Sequence, residues 1–262
     1  MELFDSHAHY DDNRFIDDAD EVITKAYESG VKYILNAGSD IETSEKSIEL
    51  AERFDFVYAS AGVHPHEVGK LKENDMEKIR DLCRHPKVVA IGEIGLDYYY
   101  DHSPREEQRR WLSKQLNLAK ELELPVIIHN RDAHDDTMEI VKQEAPFKAG
   151  GVFHCFSGSW EMAKELLQIG FYISFGGPVT FKNAKKTVEV LRNMPMDRIL
   201  VETDCPYLTP EPFRGRRNDS SYVRMVVEKV AEVKGIHIDE SARVTTQNAK
   251  RLFHRSLEFK KI

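Results

Sequence analysis

Eight short apolar segments recur along the chain: Leu3–Ser6, Val31–Asn36, Val57–Gly62, Val88–Gly92, Val126–His129, Gly151–His154, Phe171–Phe175 and Ile199–Glu202. They are nearly continuous in hydrophobic character, as strands covered on both faces should be. Longer stretches with apolar residues at helical spacing lie near Asp18–Ser29, Ile41–Arg53, Asn74–Arg84, Pro104–Leu122, Ala133–Glu144, Ser159–Ile169 and Ala184–Arg192. Pro104–Leu122 also carries a helix start signal, with proline first and acidic residues in the opening turn. Alternating strand and helix implies parallel strands joined by crossovers. Eight such units in about 200 residues predict an α/β fold of the TIM-type (β/α)8 barrel, with an open doubly wound sheet as the competing arrangement. Helical patterns at Tyr222–Lys234 and Asp239–Phe253 are expected to pack on the outside of the barrel and close its last unit. Residues 1–262 are thus expected to form a single domain, with C-terminal helices at about 219–254.

Composition narrows the function classes. Hydrophobic residues make up 41%, enough for a real core. No apolar run approaches the roughly 18 residues that span a bilayer, and no membrane association is expected. The segment Met1–Asp12 lacks a basic stretch followed by an apolar one, so no secretory signal is read and the cytoplasm is the expected location. Cys83, Cys155 and Cys205 are widely spaced and make neither a disulfide framework nor a CxxC zinc pattern. The net charge of −8, from 37 basic and 45 acidic residues, argues against a protein that holds nucleic acid by a broad basic surface. An enzyme that grips one or two phosphates locally stays compatible with it. No obligate protein partner is evident in the sequence.

Metal-ligand residue types recur where the candidate strands end: His7 and His9, Glu93, His129, His154 and Asp204. Residues two apart on an extended segment face the same way, so the imidazoles of His7 and His9 can converge. Each residue alone is a weak signal, since a histidine at a strand end is commonly a hydrogen-bonded structural group. In a barrel the C-terminal ends of all strands surround one mouth, which brings the whole set to one cavity. Such a set without a cation would crowd polar groups that lack partners. Imidazole and carboxylate suit borderline divalent ions such as Zn²⁺ or Mn²⁺.

The stretches Asp5-Ser6-His7-Ala8-His9, Gly62-Val63-His64-Pro65-His66, Gly92-Glu93-Ile94-Gly95-Leu96-Asp97, His129-Asn130-Arg131-Asp132-Ala133, His154-Cys155-Phe156-Ser157-Gly158 and Glu202-Thr203-Asp204-Cys205-Pro206-Tyr207-Leu208 resemble the TatD family of metal-dependent deoxyribonucleases. The resemblance covers almost the whole chain, in order and spacing. It implies a TIM-type barrel, two divalent metal ions (Zn, Mn or Mg) and hydrolysis of DNA phosphodiesters, with a 3′-5′ exonuclease on single-stranded ends as the specific expectation. By position it implies that His7, His9, Glu93 and Asp204 hold one metal. Glu93 also bridges to a second metal, which takes His129 and His154. Two cations about 3.5–4 Å apart clamp the attacking and leaving oxygens of a displacement. The alternative is a hydrolase of a small phosphoester, amide or lactone with the same two-metal site, since the barrel type supports all of these. A non-catalytic metal-binding protein is the third reading; an intact six-ligand set argues against it.

Supporting roles stay open between chemistry and structure. Asp204 is either a general base for the attacking water or a ligand only. Glu202 shares its face and is either the partner that orients a ligating histidine or the partner of a buried polar group. His64 ends the third strand; it either donates to a phosphate or leaving group or packs beside Pro65. His66 is a weaker candidate for the same role as His64, or only a loop residue. Arg131 either pairs bidentately with a phosphate or forms a salt bridge to Asp132 or a nearby acid. Asp97 is a candidate tether for Arg131 or for a substrate group. The Tyr98-Tyr99-Tyr100 run is either packing or a surface on which unpaired bases stack. Arg214, Arg216 and Arg217 are either contacts to a nucleic-acid backbone or a solvated loop.

Overall fold

The computed structural model of the protein describes residues 1–253. Among these, the strands are β1 (Leu3–Ala8), β2 (Val31–Ala37), β3 (Val57–Ala61), β4 (Val88–Asp97), β5 (Val126–Arg131), β6 (Gly151–Phe153), β7 (Tyr172–Phe175) and β8 (Ile199–Val201). They form one sheet in the order β1 to β8, parallel at each pairing. The sheet curls until its first and last strands meet. Ala8 bridges Cys205, the His9 N–H donates to the Cys205 carbonyl (2.8 Å), and the Asp204 N–H donates to the His7 carbonyl (2.9 Å). The eight-stranded barrel predicted from the sequence is therefore the observed architecture, and the sequential order with a closing seam excludes the doubly wound sheet.

The helices are α1 (Ala19–Glu28), α2 (Ile41–Arg53), α3 (Asp75–Leu82), α4 (Arg105–Leu122), α5 (His134–Glu144), α6 (Trp160–Gln168), α7 (Lys185–Asn193), α8 (Val223–Lys234) and α9 (Ile238–Leu252). Local chemistry starts several of them. Asp40 and Thr43 form a reciprocal capping box at the head of α2, and the Ser159 hydroxyl caps α6 by accepting from the Met162 N–H (3.2 Å). The main core lies between the sheet and its helices, where side chains such as Trp111, Ile23 and Phe171 are fully buried.

Two elements differ from expectation. β4 runs five residues past Gly92, to Asp97. Gly92 and Gly95 both take positive φ (154° and 155°), and at Gly95 an added Cβ would lie 1.9 Å from the His129 carbonyl oxygen. Glycine lets the strand press against β5 where a side chain would hold them apart. The second difference is the tail. α8 and α9 both lie against β1 and β8, and α9 also covers the end where the strands begin, its Thr246 hydroxyl on the Glu2 carbonyl and its Asn248 side chain on the Ile199 carbonyl. Its residues Ala249 and Leu252, with Phe253, join Phe4, Leu35, Val152, Tyr172 and Leu200 in one buried cluster. The barrel interior is apolar at that end and needs a cover; burying each large apolar side chain there contributes about 1.5–3 kcal/mol. The last residue of the expected tail segment, 254, lies outside the described residues.

Candidate metal centre

The mouth of the barrel gathers the ligand-type side chains predicted from the sequence. His7 and His9 leave β1, Glu93 and Asp97 lie in β4, His129 lies in β5, His154 follows β6, and Glu202 and Asp204 follow β8. Glu93 stands at the centre, 4% exposed. Its Oε2 is 3.3 Å from His7 Nε2 and 3.6 Å from His9 Nε2. Its Oε1 is 2.7 Å from His129 Nδ1, 2.8 Å from His154 Nε2 and 3.5 Å from His64 Nε2. One carboxylate thus serves two groups of imidazoles, one through each oxygen. Asp204 Oδ1 completes the first group, 3.5 Å from His9 Nε2 and 3.8 Å from His7 Nε2. Asp204 holds a left-handed backbone (φ 57°), on the turn that closes the seam.

Three imidazoles have one nitrogen beside an oxygen and the other turned inward. His9 Nδ1 lies 3.0 Å from the Ala37 carbonyl, and His129 Nε2 lies 3.1 Å from Asp97 Oδ2. His154 Nδ1 lies 3.4 Å from Glu202 Oε1, not aligned for a full hydrogen bond. Such outer oxygens keep the proton on the far nitrogen and leave the inward lone pair free for a cation. Inward, His7 Nε2 and His9 Nε2 are 3.0 Å apart, and His129 Nδ1 and His154 Nε2 are 3.2 Å apart. Lone pairs that close repel unless a proton or a cation lies between them. The sets His7–His9–Asp204, His64–Glu93–His129 and His7–His154–Glu202 each offer donor atoms within 4.8 Å of one another. The donor set therefore fits divalent cations.

The charges of the ligand-free site follow from burial and proximity. Burial alone would raise the Glu93 carboxyl, but the charge of His154 and hydrogen bonds from His129 and His154 hold it well below the usual range. Burial would lower His9; the Asp204 hydrogen bond and the charges of Glu93 and Asp204 instead push it up to about 9. His64 is held well below its ordinary value by burial and by neighbouring His129 and His66, against the pull of Glu93, so it is neutral at pH 7. Its Nδ1 accepts the His66 N–H (3.2 Å), which leaves the proton on Nε2, facing Glu93.

Other residues land where the sequence left alternatives. Asp97 does not tether the Arg131 guanidinium; its Oδ2 meets His129 and His66 Nε2 (2.9 Å). His66 is thereby part of the site and not merely a loop residue. Among the described residues no carboxylate pairs with Arg131, whose guanidinium lies over Tyr99, 4.1 Å from the ring centroid. Glu202 is fully buried and accepts the Cys155 N–H (2.6 Å) besides facing His154. Arg217 is committed to Asp18 (2.6 and 2.9 Å), whereas Arg214 lies over Phe181 at 4.4 Å.

Several positioning residues escaped the sequence reading. Gln108 of α4 accepts the Asp97 N–H (2.9 Å), and Gln115 accepts the Val63 N–H (2.7 Å), beside His64. Both are fully buried. Two glutamines seven apart on the apolar face of a helix were the available signal. Asp5, buried in the seam, accepts the Thr203 N–H (2.8 Å) and hydroxyl (2.6 Å), fixing the residue before Asp204.

The TatD-related DNase family model matches residues 4–254. The chain belongs to that family. It is 50% identical to YabD of Bacillus subtilis, an uncharacterized metal-dependent hydrolase, over 96% of this chain and 98% of that one. It is 34% identical to the 3′-5′ ssDNA/RNA exonuclease TatD of Salmonella typhimurium, over 96% and 98% of the two chains. Among solved structures it is similar to YjjV, a TatD homologue from Escherichia coli, with a TM-score of 0.91 and 33% identity over 96% and 98% of the chains. The chain is therefore a metal-dependent hydrolase of the TatD family, and no described helix is long and apolar enough to cross a membrane.

Proposed function

We propose that this hydrolase is a two-metal phosphodiesterase that removes nucleotides from the 3′ ends of single-stranded DNA, with residues 1–262 working as one catalytic unit. The observation that carries the reading is Glu93, whose two oxygens face two separate imidazole groups. His7, His9 and Asp204 would hold one cation with Glu93, and His129 and His154 the other. Bound divalent ions, Zn, Mn or Mg, supply Lewis acidity and lower the pKa of water. Asp204 takes the proton of the attacking water, while Asp97 and Glu202 fix the rings of His129 and His154. His64, neutral, donates a hydrogen bond from Nε2 to a phosphate or leaving-group oxygen. Arg131, free of any carboxylate among the described residues, pairs with the phosphate, and Arg214 is a second contact farther along the strand.

Substrate class rests on further support. The Salmonella relative bears an exonuclease name. A net charge of −8 leaves local contacts as the means of holding a polyanion, which predicts a shallow salt dependence. The test compares linear and circular single-stranded DNA of equal composition, with Mg²⁺, Mn²⁺ or Zn²⁺. Loss of terminal nucleotides from the 3′ end of the linear form alone, abolished by chelator, is expected. Equal cleavage of the circle would refute end dependence. No cleavage of either, with turnover of a small ester, lactone or amide, would refute the nuclease reading.

A further inference from the structure

Two sets of exposed aromatic rings border the mouth and have no part in the chemistry described above. Tyr99 and Tyr100 follow β4 and are 58% and 50% exposed; Tyr207 follows β8 and is 46% exposed. Neither set is loose. The Tyr99 and Tyr100 N–H groups both donate to Asp97 Oδ1 (3.0 and 2.9 Å), the carboxylate whose other oxygen meets His129. Arg131 covers both rings (4.1 and 4.7 Å), and Tyr100 stacks on His102 at 5.5 Å and 19°. Tyr207 is three residues beyond Asp204. Its hydroxyl donates to Asp12 (2.9 Å), its carbonyl accepts from the buried Asn218 side chain (2.6 Å), and Arg14 lies over its ring (4.1 Å). His9 meets that ring edge-on at 6.3 Å. Each set is thus fixed, exposed at the surface, backed by a guanidinium and linked to one of the imidazole groups, through Asp97 to His129 or edge-on to His9.

Their placement follows from topology. In a barrel closed between β8 and β1, the β4–β5 pair lies half a circuit away. The Tyr99–Tyr100 platform and Tyr207 therefore stand on opposite lips, with Glu93 between them. A phosphodiester carries one nucleoside on each side. Every base has a π-face, and stacking on an aromatic ring is tolerant of sequence. We propose that the two nucleobases flanking the scissile phosphate stack on these opposed platforms, so that the strand is held with neighbouring bases splayed apart. This rests on the phosphodiesterase reading and adds to it the means of selection. Neighbouring bases in a duplex stay stacked on each other and cannot reach both lips, so unpaired strands are chosen by geometry and not by charge.

The test uses the metal-loaded protein and single-stranded oligonucleotides with an abasic site at the terminal or the penultimate position. Each kcat/KM is divided by that for methyl p-nitrophenyl phosphate, which has no base. With the native protein, either abasic site should lower this ratio by about tenfold or more, the scale of one lost stack. Tyr99→Leu/Tyr100→Leu should abolish sensitivity to one abasic site, and Tyr207→Leu should abolish sensitivity to the other. The corresponding Tyr→Phe variants should keep both. A native protein that cleaves the small diester but ignores both abasic sites overturns the stacking proposal and leaves the phosphodiesterase reading standing. Retention of both sensitivities in both leucine variants overturns it equally. If no phosphodiester is cleaved, with or without bases, the phosphodiesterase reading fails and this proposal falls with it.

Discussion

At the scale of single residues, the site depends on one carboxylate shared between two imidazole groups. On the proposed two-metal reading, Glu93→Ala should lower metal content from two ions per chain toward one or none and abolish turnover, because two cations would lose the anion between them. Metal analysis after gel filtration checks this; two retained metals with near-native activity would remove Glu93 from the bridging role. Arg131→Ala should leave metal content intact and slow cleavage of DNA by about 1.5–3 kcal/mol in kcat/KM, the scale of one charge-assisted contact. Arg131→Lys should recover little, since an ammonium lacks the fork of two parallel donors. Metal loss in either variant would make Arg131 a structural support. The ligand types were legible in the sequence because each comes directly after a short apolar run that marks a strand, and a barrel collects such positions. What holds them was not. Asp5, Gln108 and Asn218 act through hydrogen bonds to backbone elsewhere in the chain, for example Asp5 to Thr203, 198 residues away. No local pattern encodes such a pairing. The role of His66 stayed open for the same reason: its partner Asp97 is 31 residues on.

At the scale of elements, the β4–β5 contact decides whether Glu93 reaches its partners. Gly95 packs so closely on β5 that any Cβ would meet the His129 carbonyl oxygen. Gly95→Ala should force the strands apart, weaken metal binding by at least about tenfold and leave the far-ultraviolet circular dichroism nearly native. That magnitude corresponds to a loss of roughly 1.4 kcal/mol. Metal titration by calorimetry is the measurement, and unchanged affinity would show that β4 has slack. The strands and helices themselves could be read from hydrophobic spacing, and α2 matches its predicted limits, Ile41–Arg53. The extension of β4 to Asp97 was hidden because glycine ordinarily weakens a strand, and only the close approach of β5 explains two of them there. β1 hid a subtler feature. Its register is irregular between Asp5 and Ala8, so that Ser6 meets Ser174 and yet His7 also reaches Glu93. Strict alternation along the strand would have sent those neighbours to opposite faces.

At the scale of the whole molecule, buried carboxylates and imidazoles hold protons for one another until metal arrives. His9, pushed up to about 9 by Asp204 and Glu93 against the effect of burial, carries a proton at pH 7 in the metal-free protein. A cation must displace that proton, so metal affinity should rise with pH from 6 to 9 and uptake should acidify a weakly buffered solution. Competition with a chromophoric chelator across that range measures it. A flat profile would show that His9 is already neutral when metal binds. The seam between β8 and β1 has a consequence for how such a protein comes into being. The first and last members of the ligand set are joined there by neighbouring backbone hydrogen bonds, although 195 residues separate His9 from Asp204. A ribosome exposes His7 and His9 early and must deliver most of the remaining chain before Asp204 can close the circle. An interrupted translation product therefore has no complete centre, and hydrolytic power appears only after the protein has been read through to its last strand.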